Sequence, residues 1–228
     1  MIQLSPRLLW IAERVLPQSV YADIGTDHGK LPIYLVQSGK IDHAFASDVS
    51  RIPVERASRN IAHYGLQSQI RLEMCDGLAL ADALLPTAVS ICGMGGETIC
   101  KILSASTSVR RGGVRLLLQP MTDFSVLRNY LAENGFAIFD EEIVRSEGRL
   151  YQCLAAEYDG APYTLTPAEA EVGRLNIQKR SPLFLSYLER RLKIVEKCIA
   201  GRQLAFLSAD AQEQLAEEYR SILSGGVQ

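Results

Sequence analysis

The sequence predicts an α/β protein: a doubly wound parallel sheet followed by a helical hairpin. Three observations carry that expectation. Through residues 1–158, short apolar runs alternate with helical patterns, the order that builds β-α-β units. Successive runs close on an acid or a glycine: Asp23, Asp48, Asp76-Gly77 and Gly93-Met94-Gly95-Gly96. Beyond Tyr158-Asp159-Gly160-Ala161-Pro162 the strand pattern stops and apolar residues recur at steps of three and four, the spacing of one helical seam.

Taken in order, Ser5-Pro6 suits a helix start, with Leu8, Leu9, Ala12, Val15 and Leu16 at helical spacing and packing expected beside the first strand. That strand is Val20 to Ile24, and after its glycine turn Leu31 to Val36 reads as helix. Strands follow at 43–48, 70–75, 88–92 and 113–118, separated by helices over 53–64, 97–103 and 124–134. Phe136 to Val144 and Leu150 to Glu157, joined by Arg145-Ser146-Glu147-Gly148-Arg149, read as a closing antiparallel hairpin. In the tail, Thr166-Pro167-Ala168-Glu169 is a capping box and Ser181-Pro182 restarts the helix. Leu185, Leu188, Leu192, Val195 and Ile199 form its seam, with Gly201 as its stop. Leu204, Leu207, Ala211, Leu215, Tyr219 and Ile222 are the expected return stripe of a coiled-coil-like hairpin. The division expected is 1–158 for the sheet domain and 159–228 for the helical extension.

Chemistry concentrates in Asp23-Ile24-Gly25-Thr26-Asp27-His28-Gly29. Gly25 and Gly29 permit a tight turn with close backbone approach between strand and helix, which is how a ligand is cradled at the carboxyl end of a parallel strand. The spacing is not G-x-G-x-x-G, which weighs against a dinucleotide and leaves another adenosine cofactor open. Asp48, about 20 residues on, suits a ribose diol. A single glycine turn or strand-end acid is ordinary turn chemistry; the recurrence at four strand ends is what points to a binding site.

These segments, with Asp76-Gly77-Leu78 and Gln119-Pro120, resemble the bacterial tRNA (adenine-22-N1)-methyltransferases from Leu4 to about Glu157. Gly93-Met94-Gly95-Gly96 stands where many amino-group methyltransferases carry Asn-Pro-Pro-aromatic. The resemblance implies a Rossmann-like class I methyltransferase sheet, S-adenosylmethionine as cofactor, and methyl transfer to N1 of an adenine in the D-arm of tRNA. It implies a cofactor site of Asp23, Gly25, Thr26, Asp27, His28, Asp48, Asp76, Gly77, Gly93, Met94 and Gly95. Asp48 falls on the ribose, Asp76 and Gly77 beside the adenine ring, and Asp23 orders the loop. Asp27 is the candidate catalytic acid or base, against the alternative that it only caps the helix expected to start near His28. Gln119 and Pro120 are candidate substrate-binding residues.

Composition bounds the rest. With 228 residues, 47% of them apolar, the chain can bury one substantial core plus an appendage. No apolar run approaches the ~18 residues of a spanning helix, and Met1-Ile2-Gln3-Leu4 lacks signal-peptide character, so a cytoplasmic protein without membrane contact is expected. A net charge of -2 argues against coating nucleic acid by bulk charge. Residues 171–202 nevertheless hold eight bases against three acids. Arg190 and Arg191 there are the candidates for tRNA contact, the alternative being a solvated face. Cys75, Cys92, Cys100, Cys153 and Cys198 are dispersed and read as reduced; Cys75, Cys92 and Cys153 read as strand core residues, and no metal site is expected. A monomer is the expectation, with a dimer left open. A small-molecule or protein methyltransferase, a non-enzymatic RNA-binding module and a dinucleotide oxidoreductase are the competing readings.

Overall fold

The computed structural model describes residues 1–225; the last three positions of the expected extension lie outside them. The strands are β1 (Tyr21–Ile24), β2 (Ala44–Asp48), β3 (Ile70–Met74), β4 (Ala88–Gly95), β5 (Arg115–Thr122), β6 (Phe136–Ser146) and β7 (Arg149–Tyr158). The helices are α1 (Pro6–Arg14), α2 (Lys30–Gln37), α3 (Arg51–His63), α4 (Gly96–Ala105), α5 (Phe124–Glu133), α6 (Pro167–Val172), α7 (Arg174–Lys179), α8 (Pro182–Leu204) and α9 (Asp210–Ser224).

One sheet runs in the order β3-β2-β1-β4-β5-β7-β6. β1 to β5 pair in parallel, and β7 inserts antiparallel between β5 and β6. Parallel strands covered on both faces need apolar residues on both, and β5 supplies them: Leu117 joins the core with Trp10, Ile33 and Ile61, while Leu116 and Leu118 join the other with Ile99, Leu127 and Leu131. Strand order reverses between β1 and β4, which opens a crevice beyond their carboxyl ends. α1 does not lie beside β1 as expected. Its contacts run to β5, β7 and β6, fixed by Trp10 Nε1 to Glu142 (2.9 Å) and Arg14 Nε to Asp140 (2.7 Å).

The extension is joined to this body by a buried ion pair. Arg128 on α5 and Glu141 on β6 are 0% and 1% exposed and meet through two hydrogen bonds of 3.0 and 2.9 Å. The guanidinium also donates to the carbonyls of Ala170 and Glu171, and the second carboxylate oxygen accepts from Leu175 N at 2.7 Å. A charge pair taken out of water is tolerable only when its remaining valences are met. Here the α6–α7 turn meets them, so that turn cannot leave without stranding both charges. Lys179 pairs with Asp140 as well, and Ile143 of β6 lies in the core of the extension with Phe184, Leu188, Tyr219 and Ile222.

The capping box at Thr166 forms as read, and Ser181 Oγ accepts from Phe184 N to cap α8. Gly201 is not the stop: α8 continues to Leu204. Phe206 takes the left-handed conformation at φ 55. Leu207 N donates to Arg202 O and Phe206 N to Gln203 O, the paired bonds of a Schellman motif. Because a phenylalanine holds the place usually given to glycine, composition did not mark it. The return stripe is correspondingly shorter: Leu204, Leu207 and Ala211 are exposed, and the buried face of α9 is Ala216, Tyr219 and Ile222, flanked by Leu215. Cys75 lies one residue past β3, half-buried rather than in a strand core. Burial pushes the Cys153 thiol up to about 12.

Gly173 links α6 to α7 at φ 93, and a Cβ there would stand 2.2 Å from the Glu141 carboxylate. Gly173→Ala is therefore expected to cost about 3 kcal/mol or more of unfolding free energy in urea titration, because relief of the clash displaces a buried charge. A loss under about 1 kcal/mol would mean that the ion pair does not depend on this turn.

Candidate active site

The β1–α2 loop is held from below by Asp23. This carboxylate is 3% exposed and accepts from Ser90 Oγ on β4 at 2.5 Å and from Thr26 Oγ1 at 2.7 Å. The Tyr21 hydroxyl lies 2.5 Å from Ser90 Oγ. Burial raises the pKa of Asp23 above 3.8; the bonds from Ser90, Thr26 and Tyr21 work against that, and the charge of Asp48 adds to it. Gly25 and Thr26 then donate their backbone N–H groups to Ser47 O at 2.8 and 2.9 Å, which folds the loop onto the end of β2. At that end Asp48 accepts from Ser50 N at 3.0 Å and Asp27 N at 3.4 Å.

Gly25, Asp48 and Met94 stand at the junction of two lobes of one cleft. The first, of about 460 Å³, is walled by Cys75, Asp76, Gly77, Leu78 and Ile102; the second, of about 470 Å³, by Asp23, Thr26, Asp27, His28 and Gly93. Gly25 has φ 74, a conformation that favours glycine, and a Cβ on it would displace the Met94 thioether methyl, which lies over the loop. The strand β4 slips register on either side of Met94, a bulge that turns the chain toward the cleft. Gly96 opens α4 where a Cβ would meet Asp123 O at 2.2 Å.

The fold therefore brings together ten of the eleven expected cofactor residues along this cleft, and Gly95 adjoins it. A mostly apolar lobe, a central carboxylate and a polar lobe beyond it fit the adenine, the diol and the polar end of S-adenosylmethionine by chemistry. Asp27 has φ 47, and its carboxylate is 3.4 Å from His28 Nε2 and 3.7 Å from Arg56. The capping alternative does not hold: α2 starts at Lys30 with Gly29 as its cap and no side-chain cap bond.

Gln119 and Pro120 are buried and do not reach the cleft surface. Gln119 instead accepts from Arg7 at 2.7 Å and donates to Pro120 O at 2.8 Å, so it acts by holding Arg7, which does line the second lobe with Met121, Glu147 and Tyr151. Sequence reasoning missed these four. The usable signal was topological: an antiparallel β7 puts the β6–β7 turn at the same end of the sheet as the carboxyl ends of the parallel strands. Arg190 is exposed, whereas Arg191 is tied to Glu171 at 2.7 Å between α6 and α8 and is not free for a phosphate. Among the described residues no group of three or more His, Cys, Asp or Glu could hold a metal ion, and no helix is long and apolar enough to cross a membrane.

Comparison with known proteins agrees with this geometry. Residues 4–154 match the model of a methyltransferase domain. A tRNA (adenine(22)-N(1))-methyltransferase of Bacillus subtilis is 33% identical over 199 residues, covering 84% of this chain and 82% of that one. The crystal structure of the B. subtilis m1A22 tRNA methyltransferase superposes with a TM-score of 0.83 at 29% identity over 100% of both chains. A Streptococcus pneumoniae protein solved with S-adenosyl-L-methionine gives 0.83 at 28% identity, over 95% of this chain and 98% of that one.

Asp48→Ala is expected to weaken S-adenosylmethionine binding by about 1.5 to 3 kcal/mol, the worth of hydrogen bonds to a charged group, with melting nearly unchanged. Calorimetry showing unaltered affinity in a folded variant would remove Asp48 from the cofactor site.

Proposed function

The chain belongs to the bacterial tRNA (adenine-22-N1)-methyltransferase family, and from that premise we infer how its residues divide the work of methylating N1 of adenine 22 in tRNA. The cofactor is S-adenosylmethionine, which supplies an electrophilic methyl group on a sulfonium. The observation that carries the assignment of residues is the three-way junction of Gly25, Asp48 and Met94, shared by both lobes. Asp48 takes the ribose diol, Asp76 and Gly77 border the adenine ring, and Asp23, Thr26 and His28 shape the pocket for the amino-acid end. Gly93, Met94 and Gly95 form the floor where the methyl group and the target base meet.

N1 of adenine is buried in a Watson–Crick pair, so the base must leave its stack before it can reach that floor, at a cost of a few kcal/mol. The protein contributes mainly by alignment in a water-poor cleft. Asp27 remains the candidate acid or base. Its φ of 47 and its neighbours His28 and Arg56 hold the carboxylate at the lip, where it can accept a hydrogen bond from the exocyclic amine. The working division is 1–158 for cofactor and chemistry and 159–228 for tRNA contact.

Contact with the tRNA backbone is assigned to the exposed basic face of α8, Arg190, Lys193 and Lys197, whose spacing puts them on one side of the helix. Lys30, which lines the second lobe, is exposed too. Reversing Arg190, Lys193 and Lys197 to Glu is expected to raise the tRNA Michaelis constant and lower the slope of log affinity against log salt by about one per lost contact. Arg191→Glu should instead lower the melting temperature through its pair with Glu171. An unchanged salt slope in the triple variant would move the tRNA contact off this helix.

The reaction itself is tested by mass mapping of nucleosides in tRNA treated with protein and cofactor, with 1-methyladenosine at position 22 expected. Asp27→Asn keeps the shape of the loop and is expected to leave tRNA binding near normal while the single-turnover rate falls roughly 100-fold. A change under about threefold would leave alignment by the cleft floor to account for the rate.

A further inference from the structure

The second lobe of the cleft has a wall that lies outside the expected cofactor residues. It is built by Arg7 from α1, Met121 from the end of β5, and Glu147 and Tyr151 from the β6–β7 hairpin. Tyr151 brings the only phenol to this lobe among the described residues. One face of its ring is set by Arg7, whose guanidinium lies 5.4 Å from the ring centroid and is itself held by Gln119 at 2.7 Å. A flat ring fixed by a cation on one side is a stacking platform in want of a second partner.

Glu147 is the second unusual feature. It and Gly148 have φ 49 and 75, the two consecutive left-handed residues of a type I′ hairpin, for which Asn, Asp or Gly is preferred at the first position. A glutamate there stores backbone strain, and strain of this kind gathers at sites of function. Its carboxylate has no ion pair or hydrogen bond among the described residues. Asp27, across the lobe, has both His28 and Arg56 beside it. Of the acids lining this lobe, Glu147 alone has no ion pair or hydrogen bond among the described residues.

Resting on the tRNA methyltransferase reading, we propose that this wall seats the target adenine: Tyr151 stacks on the extruded base and Glu147 compensates the positive charge that methylation leaves on it. The N1 lone pair forms the new C–N bond as the methyl–sulfur bond breaks with its electron pair remaining on sulfur. The charge passes from sulfonium to adenine ring, where Glu147 meets it before any proton leaves the exocyclic amine. A carboxylate that is unpaired before the base arrives gains most from that transfer, because docking of the base excludes water from both. Arg7 and Gln119 are positioning residues, acting through the Tyr151 ring.

The test uses the full-length protein with unmethylated tRNA, S-adenosylmethionine and four variants. Tyr151→Ala is expected to lower kcat/KM for tRNA about tenfold or more, with cofactor affinity within about twofold of wild type, while Tyr151→Phe restores it. Glu147→Gln should slow the single-turnover rate about tenfold without weakening the binding of unmethylated tRNA. Glu147→Gly is the decisive variant: it relieves the turn and should raise the melting temperature while losing the same rate as Glu147→Gln. A Glu147→Gly protein that is more stable and fully active would reduce Glu147 to a turn residue and overturn the proposal, as would full activity of Tyr151→Ala. Wild-type protein that binds cofactor but leaves adenine 22 unmethylated would instead overturn the reading on which the seat rests.

Discussion

Asp23 is almost wholly buried, lies where the strand order of the sheet reverses, and is surrounded by hydroxyls rather than by a cation. Ser90 donates to one oxygen and Thr26 to the other, so a single carboxylate joins β1, β4 and the cofactor loop. Burying a charge at this point is costly, and only the hydrogen bonds make it tolerable. The consequence is geometric. With Thr26 pulled down to Asp23 and the backbone of Gly25 and Thr26 bound to Ser47, the loop has one conformation available, and the Asp27 N–H is carried to Asp48. The positions of both functional carboxylates at the lip follow from a third that does not reach solvent.

A second buried charge does the same for the extension. The Arg128–Glu141 pair is complete only when the α6–α7 turn supplies Ala170, Glu171 and Leu175. The extension is thus tied to the edge of the sheet through this turn. Gln152 keeps a buried amide oxygen without a partner at this junction, and such atoms are commonly met by buried water.

What was legible in the sequence was what is local. Four of the five parallel strands announce themselves as short apolar runs and β3 as an alternation of apolar and charged residues, and the acids and glycines at the ends of β1 to β4 line the cleft. Thr166-Pro167-Ala168-Glu169 is a self-contained cap and formed as read. What was illegible depended on distant partners. Gln119 looks like a substrate residue by its place at the end of β5, but its neighbour in space is Arg7, 112 positions away in the chain. Arg190 and Arg191 are equivalent in a charge count, yet one faces solvent and the other faces Glu171. The end of α8 was misplaced because Gly201 carried the expected signal while Phe206 carried the actual left-handed residue.

The β6–β7 hairpin shows how one topological choice serves both stability and function. By running antiparallel, β7 completes the sheet beside β5 and returns its turn to the functional end, so the strand that closes the core also raises the second wall of the cleft. A parallel strand in that place would have left its turn at the opposite end, and the methyl-transfer floor would have been open to water on that side. The strain at Glu147 has a counterpart in this arrangement. A glycine there would serve the turn better, and an acid at that turn makes sense only if its charge meets something the free protein does not contain.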